Sequence, residues 1–105
     1  MRLKPGVKLK GLSPQAVLIA LIVDRAYADY NHETTITSAN EGNHMEGSSH
    51  FKGEALDFRT KDLPPTVDKH MLRNEIKADL GDEFDVILEN FGGDNEHIHV
   101  EWDVK

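Results

Sequence analysis

The sequence predicts an α+β fold with a mainly antiparallel sheet and two main helices, and three observations predict it. β-Branched or alternating segments come in the order strand, strand, strand pair, and Gly92-Gly93-Asp94-Asn95 joins that pair as a strong hairpin signal. Two longer segments carry apolar residues in helical patterns, one before the first strand and one between the second and third. A run of strands served by only two helices suits a sheet with helices segregated from it. The length, 105 residues, suits a single domain over residues 1–105 with one core.

Taken in order, the first ten residues are basic (Arg2, Lys4, Lys8 and Lys10), like the n-region of a signal peptide. The apolar run Ala16-Val17-Leu18-Ile19-Ala20-Leu21-Ile22-Val23 follows. It is too short to span a bilayer, and Asp24-Arg25 close it where a signal peptide would place small residues for cleavage. Ser13 reads as an N-cap and Pro14 as the first helical residue. The expectation is a buried helix over residues 14–30, on which Leu18, Leu21, Ile22 and Arg25 share neighbouring turns, as do Val17, Ala20 and Asp24. A core helix here implies synthesis in the cytoplasm without an export signal, and no stable membrane insertion.

Thr34-Thr35-Ile36-Thr37-Ser38 reads as the first strand. Residues 40–49 form a polar loop containing His44, which is either a solvated residue or a contact at the rim of a pocket. Residues 55–60 alternate as a second strand, with Ala55, Asp57 and Arg59 on one face and Leu56 and Phe58 on the other. Arg59 then either steadies Asp57 or Glu101 as an ion pair or offers a cation to substrate. Pro64-Pro65 ends that segment. Residues 67–80 are helical by the recurrence of Met71, Leu72, Ile76 and Leu80, with Gly81 as terminator and His70 as an ordinary helix residue. Residues 84–91 form a third strand around Val86-Ile87-Leu88, and residues 97–104 the return strand.

Composition narrows the chemistry. No cysteine is present, so disulfides and thiolate metal sites are excluded and a metal must use imidazole and carboxylate. The net charge of −7, with acids spread along the chain, argues against a nucleic-acid surface. Two stretches concentrate the metal-binding residue types: residues 48–57, with His50 and Asp57, and residues 95–99, with Glu96, His97 and His99. A catalytic zinc takes three nitrogen or oxygen ligands and keeps a position for water. His50 and Asp57 supply two. An unbroken strand would aim them at opposite faces, so the backbone must turn between them, and Gly53 permits that. The third comes from the second stretch, where alternation puts His97, His99 and Glu101 on one face and Ile98, Val100 and Trp102 on the other. Glu96 sits where the turn becomes strand, so alternation does not orient it; Glu89, on the partner strand, is the rival carboxylate.

Ser48-X-His50-X-X-Gly53-X-Ala55-X-Asp57 resembles the Ser-X-His-X-X-Gly-X-Ala-X-Asp motif of the D-alanyl-D-alanine carboxypeptidase and L-alanyl-D-glutamate endopeptidase family, which shares its metal core with lysostaphin-type peptidases and hedgehog domains. Glu96, His97 and His99 are similar to the family's second motif, an acid three residues before the last histidine of His-X-His. The resemblance implies a hedgehog-like peptidase fold, zinc on His50, Asp57 and His99, Glu96 as general base, and His97 as a donor to the oxyanion. Ser48 would support the loop or His50, and Ser48, His44 and Arg59 are the candidates for contact with substrate. Many family members carry an arginine just after the first strand; this chain has Ser38-Ala39-Asn40-Glu41-Gly42 there, which leaves Arg59 or Arg25 as substitutes. The implied activity is zinc-dependent hydrolysis of a D-residue-containing peptidoglycan stem peptide by a monomer. The enzyme would act at the cell wall and be of phage or phage-related origin. The alternatives are a non-catalytic zinc module on the same scaffold and a phage structural protein.

Overall fold

The computed structural model describes residues 1–39 and 54–103. Seven elements follow in order: β1 (Arg2–Leu3), α1 (Pro14–Ala28), β2 (Thr35–Ser38), β3 (Ala55–Arg59), α2 (Lys69–Leu80), β4 (Phe84–Glu89) and β5 (His97–Trp102). The strands form one five-stranded sheet in the order β1-β2-β3-β5-β4. The expected α+β architecture with two helices is present, and the sheet is mixed: β1 runs parallel to β2, while every other pairing is antiparallel.

Alternation sets the two faces of the sheet. Leu56, Phe58, Ile98, Val100 and Val86 point to one side and are buried together with Ile19, Val23 and Tyr27 of α1 and Leu72 and Ile76 of α2. The other side carries Asp57, Arg59, His97, His99, Glu101, Asp85, Ile87 and Glu89, of which only Ile87 is a large apolar residue, and it is exposed. A one-residue slip of β5 would exchange these sets, burying two imidazoles and exposing Ile98 and Val100, so burial of one face fixes the register.

α1 starts as expected: the Ser13 hydroxyl accepts from the Ala16 N–H at 3.1 Å, and Pro14 takes the first turn. The helix buries a different stripe from the one expected. Ala16, Ile19, Val23, Ala26 and Tyr27 face the sheet, whereas Val17, Leu18 and Leu21 are exposed. Small residues at positions 16 and 26 let the helix approach, and the Tyr27 hydroxyl donates to the Arg59 carbonyl at 2.7 Å, fixing its rotation. In α2 the Asp68 carboxylate caps the His70 and Met71 N–H groups. Leu72 and Ile76 are buried as expected, but Met71 is exposed.

α2 also protects the β4 edge of the sheet. Arg73 donates to the Val86 carbonyl at 2.7 Å and Lys77 to the Phe84 carbonyl at 2.6 Å, filling acceptors an edge strand would otherwise offer to another chain. At the opposite edge, the basic N-terminal residues that resemble a signal n-region form β1, with the Arg2 N–H donating to Thr34 and the Lys4 N–H to Ile36. No helix among the described residues is long and apolar enough to cross a membrane.

Candidate metal centre

Three rungs of the sheet set out the site on its helix-free face. The first is Arg59–His97–Glu89, the second Asp57–His99–Ile87 and the third Ala55–Glu101–Asp85, each running across β3, β5 and β4. Cross-strand neighbours lie about 5 Å apart, so the histidines of His-X-His are surrounded by carboxylates from all three strands.

His99 lies between two of them. It donates from Nδ1 to Asp57 Oδ1 and from Nε2 to Glu101 Oε1, both at 2.7 Å. Burial works against the charged imidazole, but the hydrogen bonds and charges of Asp57 and Glu101 outweigh it and push His99 from 6.5 up to about 9. His97 donates from Nδ1 to the Asn95 carbonyl at 2.7 Å, which leaves Nε2 facing Glu89 Oε1 at 3.2 Å and Asp57 Oδ2 at 3.9 Å. Asp57 is therefore the hub: one oxygen meets His99 and the other faces His97.

Asp57, Glu89 and His97 each bring a ligand atom to within 4.8 Å of the other two, so these residues are positioned to hold a metal ion. Its fit rests on the donors. They are one imidazole and two carboxylates, with a second imidazole on Asp57, and they converge where positive charge is demanded from several sides. A proton between His99 and Asp57 meets part of that demand. A second group, Asp85, Glu101 and Asp103, continues the acidic end of the face.

Glu96 stands apart from this convergence. It is 4% exposed and accepts from Thr60 Oγ1 at 2.6 Å, Lys69 Nζ at 2.6 Å and the Gly92 N–H at 2.9 Å. Burial raises such a carboxyl, but Lys69, Thr60 and Gly92 together hold it below its ordinary value. Gly92, at φ +83°, takes the left-handed conformation that turns its N–H towards Glu96. The carboxylate thereby staples the loop over residues 90–96 to the end of β3 and the start of α2. Glu96, the base the second motif implies, is thus bound into a buried cluster by three donors, and Glu89, the rival, is the carboxylate that faces His97 beside Asp57.

Of the other expected site residues, Asp57, Arg59, His97 and His99 share one face, as alternation required. Arg59 makes no ion pair with Asp57 or Glu101 among the described residues. His50, Ser48 and His44 lie outside the described residues, as does Gly53. The expectations missed the bond between His99 and Glu101, although residues two apart on a strand share a face, and that spacing was legible. No local pattern announces the tilted contact of the His70 and Phe91 rings, whose centroids lie 4.7 Å apart. No protein-family model matches this chain, and comparison with curated proteins likewise gives no match.

Proposed function

We propose that this chain is a zinc-dependent peptidase that hydrolyses an amide bond in peptidoglycan stem peptides. One observation carries the reading: Asp57, Glu89 and His97, drawn from three strands, converge on the solvent-facing side of the sheet, with His99 bonded to Asp57 beside them. The motif resemblance supplies the substrate class and the remaining ligand.

In this reading, which takes its ligand set from the motif resemblance, Asp57 and His99 would hold the ion together with His50, His99 giving up the proton it shares with Asp57, while Glu89 and His97 border the ion. Zinc, when bound, supplies Lewis acidity for a carbonyl and acidifies a water. The chain's own residues do the rest. Glu89 accepts a proton at Oε1 and later hands it to the leaving amine; its side chain is 44% exposed, which gives it access to water and substrate. His97 is oriented by the Asn95 carbonyl so that Nε2 faces Glu89, and in its doubly protonated form it would donate from Nε2 to the carbonyl oxygen as negative charge develops there. The proton-transfer role implied for Glu96 passes to Glu89, because both Glu96 oxygens are engaged by donors in a buried cluster.

The test is a set of variants assayed for zinc content and for amine release from purified peptidoglycan. Asp57→Ala and His99→Ala are expected to lose zinc and activity together. Glu89→Gln is expected to keep zinc and lose about 100-fold or more in rate, the lower end of what a general base contributes. Full activity of Glu89→Gln alongside a folded but inactive Glu96→Gln would return the base role to Glu96. Zinc retained by the wild type with no bond cleaved would leave a non-catalytic zinc module.

A further inference from the structure

The outward side of α1 is apolar along its middle. Val17, Leu18 and Leu21 are 47%, 45% and 63% exposed and lie at one-, three- and four-residue spacings. With Pro14 before them and Arg25 and Ala28 after, they form one exposed stripe opposite the buried Ile19, Val23 and Tyr27. A single exposed leucine is ordinary, whereas a contiguous apolar stripe marks a contact surface. α2 packs beside α1 in the same layer, and its exposed positions include Asn74, Ala78 and Asp79, with Met71 its one exposed large apolar residue. The stripe is therefore a property of α1 and not of the whole helix layer.

The ends of that stripe carry opposite charges. Lys8 and Lys10 are exposed just before the Ser13 cap, and Asp24 and the exposed Asp29 stand at the other end. Such a helix is complementary to a reversed copy of itself. A two-fold axis at the level between Leu18 and Leu21 sets Leu18 of one copy against Leu21 of the other. The same axis brings Lys10 to the level of Asp29 in the second copy, and the reversed macrodipoles also favour this arrangement. The net charge of −7 on each chain opposes approach. That repulsion is screened beyond about 8 Å at physiological salt, whereas the Lys10–Asp29 pairs would act within that distance. An anionic lipid surface has no such remedy against Asp24 and Asp29. The helix has 15 residues and is about 22 Å long, so two of them bury less than the roughly 1,200 Å² of a permanent pair. The contact is that of a weak, reversible dimer.

We infer that α1 is the interface of a two-fold dimer, in which the α1 of a second copy lies antiparallel on the Val17, Leu18 and Leu21 stripe. The monomer implied by the motif resemblance would be its dissociated form. The interface lies on the helix side of the sheet, so both open faces of the dimer point away from it. On the peptidase reading above, two metal centres would then grip one polymeric substrate and raise each other's effective concentration; the dimer itself does not depend on that reading.

The experiment is sedimentation equilibrium of full-length, EDTA-dialysed protein from about 10 μM to about 1 mM in about 0.15 M salt. The mass is expected to rise from 11.8 kDa towards twice that value. Leu18→Gln with Leu21→Gln changes two exposed side chains and is expected to hold the mass at one chain, with an unchanged circular dichroism spectrum. Asp29→Lys is expected to weaken association about tenfold, and adding Lys10→Asp to restore it. A wild type that stays at one chain throughout overturns the inference, as does association that survives the double leucine change or a charge exchange that restores nothing. Wild type that remains monomeric yet binds phosphatidylglycerol vesicles through the stripe would also overturn it. Zinc binding is measured on the same samples: a chain that dimerises but takes up no zinc would fail the peptidase reading and leave this interface standing.

Discussion

Glu96 holds three donors with one carboxylate, and the consequence of removing its charge follows from burial. In Glu96→Gln the Lys69 ammonium, 18% exposed, loses its partner, and a buried pair broken on one side costs about 3 kcal/mol. Urea unfolding should show that loss, while zinc affinity changes little. A loss of zinc with no loss of stability would place Glu96 in the metal centre. His99 gives the second prediction at this scale. Its pKa is raised from 6.5 to about 9 in the folded, metal-free chain, so its contribution to stability is complete below 6.5 and disappears as pH rises through about 9. The unfolding midpoint of EDTA-treated protein should fall across that window, and His99→Gln should flatten the fall. Much of this was legible in the sequence: alternation placed Asp57, His97, His99 and Glu101 on one face. The direction of Glu96 was not, because a residue at the junction of turn and strand obeys no period, and its partners Thr60 and Lys69 lie 36 and 27 positions away.

At the scale of elements, the two helices show where pattern reading works and where it stops. The α1 run is apolar all round, so it announces a helix without saying which side meets the sheet. Tertiary contacts decide, through Tyr27 on Arg59 and the small residues at 16 and 26. The exposed stripe makes a plain prediction: Leu21→Gln should change stability by within about 0.5 kcal/mol, whereas Ile19→Ala, fully buried, should cost about 2–5 kcal/mol. Thermal melts of the two variants check it, and a reversed order would mean the helix is rotated. Two residues of β1 give no alternation to read, and the basic composition around them resembles a signal n-region rather than a strand. The pairing with β2 comes from the backbone N–H groups of Arg2 and Lys4, which side-chain patterns do not report.

For the molecule as a whole, the faces divide the labour. Two helices and a buried apolar face hold the register, and the register lines up three rungs of polar side chains on the open face. That face is graded, with carboxylates at the Glu101 and Asp85 end, imidazoles at the centre and Lys4, Arg59 and Lys61 beyond them. Overall net charge, −7, hides this gradient, which exists only once β1 and β3 are brought side by side of β2. The measurement that bears most directly on the central claim is the zinc stoichiometry of the purified chain at neutral pH, read by native mass spectrometry beside Asp57→Ala. One ion per chain, absent from the variant, is the result this account predicts; a metal-free wild type after zinc reconstitution, or an ion that persists without Asp57, would contradict it.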